Sequence, residues 1–154
     1  MPAKVPSVLV LDASVAVKWH LTDEEFNDEA TAILKDFAQG AVELLAPEQI
    51  RYEVPSAIAV ATLGRKPRIS LEQGREAIGE FLALGIKTVG DGDLILTGYA
   101  LAHQYCCALY DALYLALAQR LAVQFITADH KLYRLTRELP DVLWIGDYPQ
   151  SEGK

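Results

Sequence analysis

The sequence predicts an α/β fold: a three-layer α/β/α sandwich with a central parallel sheet of about 4–5 strands. Two patterns and one compositional fact carry that expectation. Short apolar runs such as Val8-Leu9-Val10-Leu11 and Phe125-Ile126-Thr127-Ala128 alternate with longer segments whose apolar residues recur at helical spacing. Strands alternating with helices predict a parallel sheet covered on both faces. The 154 residues are 51% hydrophobic and 23% charged, which suits one domain with a sizeable core and argues against disorder.

The elements follow in order. A first strand is expected at Ser7–Leu11, and Ser14 is a suitable N-cap for a short helix after it. Thr22-Asp23-Glu24-Glu25 reads as a capping box opening a second helix, with Phe26, Ala30, Ile33, Leu34 and Phe37 at helical spacing and Gly40 as its stop. Val42–Ala46 reads as a strand. Pro47 is expected to open a helix that aligns Ile50, Val54, Ala57, Ile58 and Ala61, with Pro55 kinking or restarting it. Gly64–Pro67 is a loop; Ser70 caps a further helix to Leu84, stopped by Gly85. Then come a strand at Ile86–Val89, helices at Asp93–Tyr105 and Asp111–Leu121, a strand at Gln124–Thr127, a short helix at Lys131–Thr136 and a last strand at Val142–Ile145. No pattern follows Gly146, so residues 1–146 are expected to form the domain and 147–154 a C-terminal tail. No repeat or long linker interrupts the chain.

Composition narrows the function classes. No apolar run approaches the ~20 residues of a membrane span. Met1-Pro2-Ala3-Lys4 leads into a core strand rather than a cleavable signal, which places the protein in the cytoplasm. Cys106 and Cys107 are neighbours, without disulfide geometry or zinc-ligand spacing, and read as reduced structural residues. The net charge of −7 argues globally against nucleic-acid binding, yet part of that excess disappears if several acids share bound cations. Basic stretches exist locally, at Arg65-Lys66-Pro67-Arg68 and at Lys131, Arg134 and Arg137. Each stretch fits a solvated surface as well as an RNA contact.

Four carboxylates stand where a charge needs a reason. Asp12 follows the first strand, Asp129 follows Phe125–Ala128, Asp111 opens an apolar helix, and Glu53 borders the apolar face of its own. Sites in open parallel sheets form beyond the carboxyl ends of the strands. Singly, Asp12 or Asp111 could cap a helix, Asp129 could serve a turn, and Glu53 could be a surface glutamate. Together they would repel, by roughly 1–4 kcal/mol for two carboxylates ~4 Å apart. A proton or a cation relieves that repulsion, and an all-oxygen donor set suits Mg²⁺ or Mn²⁺.

The segments Val10-Leu11-Asp12-Ala13-Ser14, Glu53-Val54, Tyr110-Asp111-Ala112-Leu113-Tyr114 and Thr127-Ala128-Asp129 closely resemble the PIN-domain family, nearest to the VapC toxins of bacterial and archaeal toxin–antitoxin pairs. The likeness covers nearly the whole chain and includes element order. It implies a PIN-like sandwich and a metal-dependent endoribonuclease with Asp12, Glu53, Asp111 and Asp129 as the acidic site, supported by Ser14 and Thr127. It further implies homodimers and a VapB-like antitoxin whose tail reaches the acidic groove; the apolar residues near Phe26, Phe37 and Leu63 could supply a partner surface, although core packing is the role expected for most of them. One departure is Ser56, where the family often has Asn.

On this reading, Asp12 and Asp111 are the principal Mg²⁺ or Mn²⁺ ligands, and Glu53 and Asp129 complete the site directly or through water. Arg65, Lys66, Arg68, Lys131 and Arg134 are candidate RNA contacts. Rival readings exist. Metal-free imidazole catalysis would use His20, His103 or His130, of which only His130 adjoins the acids. A phosphoryl-transfer site of receiver or dehalogenase type would want a second acid near Asp12, where Ser14 stands. A housekeeping RNA-processing nuclease or a non-catalytic PIN-type binding module would carry the same fold.

Overall fold

A computed structural model describes residues 7–149. The expectations for Met1–Lys4 and for residues 150–154 of the tail lie outside these residues. The five strands are β1 (Ser7–Leu11), β2 (Val42–Pro47), β3 (Lys87–Val89), β4 (Gln124–Thr127) and β5 (Val142–Trp144). They form one sheet, parallel throughout, in the order β3-β2-β1-β4-β5. The described helices are α1 (Ala13–Ala16), α2 (Asn27–Ala38), α3 (Ile50–Ala61), α4 (Leu71–Ala83), α5 (Gly92–Tyr105), α6 (Leu109–Leu121) and α7 (His130–Thr136).

Successive side chains of a strand point to opposite faces, and Leu9, Val10 and Leu11 are all buried, so both faces of β1 are covered. The apolar run Ala112–Ala118 is explained by depth. All seven residues are buried because α6 packs on β1, β2 and β4 and is wrapped by α5. Strand order reverses between β1 and β4, since β2 and β3 build outward on one side of β1 while β4 and β5 build on the other. That reversal is the switch point at which open parallel sheets place their ligands. Asp12 N–H continues the ladder by donating to Ile126 O at 3.1 Å, so the ends of β1 and β4 are held together there.

The local signals that match do so for the expected reasons. Ser70 and Gln73 form a reciprocal capping box on α4, at 3.1 and 2.8 Å. Gly40 and Gly85 end their helices with φ of 74° and 68°.

Five expectations need correction. Asp12, not Ser14, occupies the N-cap position of α1, and Ser14 lies inside the helix with its hydroxyl turned back. Thr22–Glu25 does not cap α2, which begins at Asn27 after a left-handed Phe26 (φ 60°). The acids of that segment are engaged elsewhere, Glu24 by Lys18 and both Asp23 and Glu24 by Arg68. Pro47 closes β2 rather than opening α3, because Glu48 N–H still bonds Val89 O at 2.9 Å. Pro55 neither ends nor restarts α3; the acceptor it forgoes, four residues back, belongs to the exposed Arg51. The segment after Gly146 is not featureless: Ile145–Asp147 makes a 3₁₀ turn, and Tyr148 Oη donates to Asp36 Oδ2 at 2.6 Å.

Candidate active site

The extended backbone at the end of β1 turns the Asp12 side chain into the switch point, where the residue is only 4% exposed. Its Oδ2 accepts two hydroxyls, from Ser14 at 2.7 Å and from Thr127 at 2.7 Å. Each hydroxyl has a single proton to give. Ser14 Oγ accepts Ala128 N–H at 3.0 Å and Thr127 Oγ1 accepts Asp129 N–H at 3.0 Å, so backbone amides aim both protons at Asp12. Oδ1 receives no hydrogen bond among the described residues. A buried carboxylate is thus anchored by one oxygen and left open on the other.

Neither Asp12 nor Asp111 uses its side chain as a helix cap; the N-cap of α6 is Ala108, and Asp111 lies in the first turn, favoured by the positive end of the helix dipole. Asp129 does cap, its Oδ1 accepting Leu132 N–H at 3.0 Å at the start of α7. Glu53 sits in the first turn of α3, half-buried, where Tyr114 Oη donates to its Oε1 at 3.3 Å. Tyr114 is fully buried and three residues along α6 from Asp111, hence on the same side of that helix. Gln49 Nε2 ties the two helices together by donating to Tyr110 O at 2.9 Å. Glu53 lines an open groove of about 620 Å³ with Tyr52, Ser56 and Tyr110. Asp111 and Asp129 line a smaller pocket of about 100 Å³ with Cys107 and Lys131.

The electrostatics bind these acids into one set. Burial pushes the Asp12 carboxyl up to about 6, against the pull of its two hydroxyl partners and with added push from Asp111 and Asp129. That shift disfavours the ionised form by about 3 kcal/mol. Glu53 is pushed up to about 7, first by burial and then by the charge of Asp12. Asp111 is raised by burial and by Asp129, with Lys131 partly offsetting them. Burial raises the Tyr114 phenol strongly, with Asp12 and Glu53 adding to the shift, so it stays protonated and able to donate. Among the described residues, no ion pair involves any of the four acids.

Do these residues fit a divalent cation? Among the described residues no three Asp, Glu, His or Cys side chains stand close enough to hold one ion between them. Mg²⁺ does not require that, since it keeps several waters and is held by one or two carboxylates. The open Oδ1 of Asp12, the neighbouring Asp111 and the unneutralised charge of the set fit such water-rich ligation.

The other sequence candidates divide. Lys131 and Arg134 are exposed on α7, next to Asp129. Arg65 and Lys66 are exposed in the loop after α3, whose last residue, Ala61, lies about 12 Å along the helix axis from Glu53. Arg68 is engaged with Asp23 and Glu24. Phe26 and Phe37 pack against the core, whereas Leu63 is exposed. The hydrogen-bonding roles of Gln49 and Tyr114 were missed, although Tyr114's i+3 spacing from Asp111 was a legible signal.

Residues 9–138 match the PIN domain family. The chain belongs to that family. PIN domains are generally nucleases. No curated protein matches the sequence. Among solved structures the chain is similar to one titled as a toxin–antitoxin complex from Klebsiella pneumoniae, with a TM-score of 0.60 and 18% identity over 88% of this chain and 95% of that one. It is also similar to the crystal structure of PAE2754 from Pyrobaculum aerophilum, with a TM-score of 0.61 and 18% identity over 92% of each chain. At such identity these likenesses show a shared fold alone. Among the described residues no helix is long and apolar enough to cross a membrane.

Proposed function

We propose that this PIN domain is a Mg²⁺- or Mn²⁺-dependent endoribonuclease, the toxin of a VapBC-type pair, and that Asp12, Glu53, Asp111 and Asp129 are its acidic site. The observation that carries the reading is the buried, half-anchored carboxylate of Asp12, neighboured by acids that form no salt bridge among the described residues. Asp12 and Asp111 would hold the cation, with Glu53 and Asp129 joining directly or through water. A divalent cation supplies an acidified water for in-line attack and positive charge for the transition state. Ser14 and Thr127 orient Asp12, and Tyr114 orients Glu53. Lys131 and Arg134, exposed on α7 beside Asp129, would contact the phosphates of a bound strand.

The partner assignments rest on the same site and on the neighbour titled as a toxin–antitoxin complex. An unpaired acidic groove attracts a guanidinium when metal is absent, as an antitoxin tail would supply. A homodimer belongs to the same reading, and light scattering at micromolar concentration tests it.

The decisive experiment incubates the protein with total RNA and Mg²⁺ or Mn²⁺, beside Asp12→Asn and an EDTA control. Discrete fragments made only by the unmutated protein with metal support the nuclease. Absence of cleavage by a folded protein favours a non-catalytic PIN module, a reading whose one support is that, among the described residues, no three acids meet closely enough to share an ion. An adjacent small gene for a DNA-binding antitoxin separates a toxin from a housekeeping nuclease.

A further inference from the structure

An aromatic shelf flanks the acidic end of the sheet. Trp144 ends β5 and pairs in register with Thr127, whose hydroxyl holds Asp12. The Trp144 backbone therefore lies one strand spacing, about 5 Å, from that of Thr127. Three rings close on the indole: His130 at 4.6 Å and 43°, Tyr133 at 5.2 Å and 39°, and Phe26 edge-on at 5.4 Å and 83°. Two backbone features serve this packing. A Cβ at Gly146 would fall 2.8 Å from Trp144 Nε1, so only glycine leaves the indole its place. Phe26 reaches the edge from a left-handed φ of 60°, rare for a bulky side chain.

Burial of an apolar sheet edge accounts for Phe26, Tyr133 and Trp144, but not for His130. That ring is exposed, is backed by Trp144, and follows Asp129 directly. Lys131 and Arg134 are exposed on the same helix. An exposed imidazole backed by a tilted indole, between an acidic site and two cations, matches an unpaired nucleotide. The base stacks on the exposed face while the cations meet the flanking phosphates.

We propose that His130, backed by Trp144, is a base-stacking subsite that holds one unpaired base of an RNA strand beside the acidic site. The subsite rests on the nuclease reading for its purpose, but not for its detection. In a duplex the bases are stacked on one another and no face is free for His130. Stacking is indifferent to base identity, so the subsite selects for strand state rather than sequence.

The test reads binding apart from cleavage. Asp12→Asn protein, without divalent metal, is titrated with a labelled single-stranded oligoribonucleotide of random sequence, with the same strand made abasic, and with a blunt duplex. The intact single strand is expected to bind about five- to a hundredfold tighter than the abasic strand. His130→Ala should erase that difference, and His130→Phe should restore it because it keeps a ring. Abasic and intact strands binding alike, the duplex binding as well as the single strand, or no binding at all would overturn the proposal. So would loss in both His130 variants alike, which would indicate a charge contact or an imidazole role. Failure of the unmutated protein to cleave RNA, with stacking intact, would instead remove the nuclease reading and leave the subsite standing.

Discussion

Acids at two places in this molecule behave in opposite ways. Asp23 and Glu24, in the turn before α2, face Arg68, and the guanidinium hydrogen bonds hold the Asp23 carboxyl below its ordinary range. Asp12 and Glu53, at the switch point, face other acids and are raised to about 6 and about 7, chiefly by burial. The first group is complete within the protein. The repulsion within the second is relieved by protons, or by a cation brought from outside. The same side chain therefore serves structure or chemistry according to whether a cation was folded in beside it.

Asp12→Asn should break the comparison most strongly. The amide keeps the shape and removes the charge, and RNA cleavage is expected to fall by more than about a hundredfold with the circular dichroism spectrum unchanged. Thr127→Val comes next. It removes one anchor of Asp12 and leaves the Asp129 N–H without its acceptor, which should lower unfolding free energy by about 1–3 kcal/mol and cleavage by about tenfold, read by denaturant titration and initial rates.

The linkage to pH sharpens the contrast. A carboxyl raised by folding contributes stability below its unfolded value, and that contribution is lost as pH rises through the folded one. For Asp12 and Glu53 the window runs from about 4 to about 7. Mg²⁺ should accordingly raise the melting temperature more at pH 8 than at pH 5, because at the lower pH protons compete for the same oxygens. His20 slopes the other way: burial lowers its pKa, so its share of stability is lost as pH falls below about 6.5. Melting curves of Asp12→Asn across this range separate the two, since only the acid component should shrink. The smallest effect is expected at the paired region, where Arg68→Ala should leave the melting temperature nearly unchanged and cleavage intact, the exposed pair being screened by water. A marked loss of cleavage there would restore Arg68 as an RNA contact.

Much of this was legible in the chain because it is written in local pattern. The apolar runs of β1 and β4, the capping box at Ser70 and the stops at Gly40 and Gly85 depend on neighbours within a few residues. The four acids could be named as candidates because each lies at an element end or borders an apolar helix face, and the segments around them carried the likeness to PIN domains. Thr22–Glu25 misled because a capping box and a pair of acids awaiting a distant Arg68 look alike in sequence. The aromatic shelf was not visible. Phe26, His130 and Trp144 are far apart in the chain, and their meeting depends on β5 adding beside β4.

By itself the sequence determined the layered α/β plan and the order of its elements, and it put forward four candidate acids, since hydrophobic period and local caps act over a few residues. Only the tertiary structure decided that Thr127 and Ser14 grip one oxygen of Asp12 and leave the other open, that Tyr114 reaches Glu53, and that, among the described residues, no salt bridge pairs the four acids. Those outcomes depend on strand order and register, which bring together groups more than a hundred residues apart, such as Asp12 and Thr127. At that range burial and Coulomb forces, rather than neighbours in the chain, set what a carboxylate does.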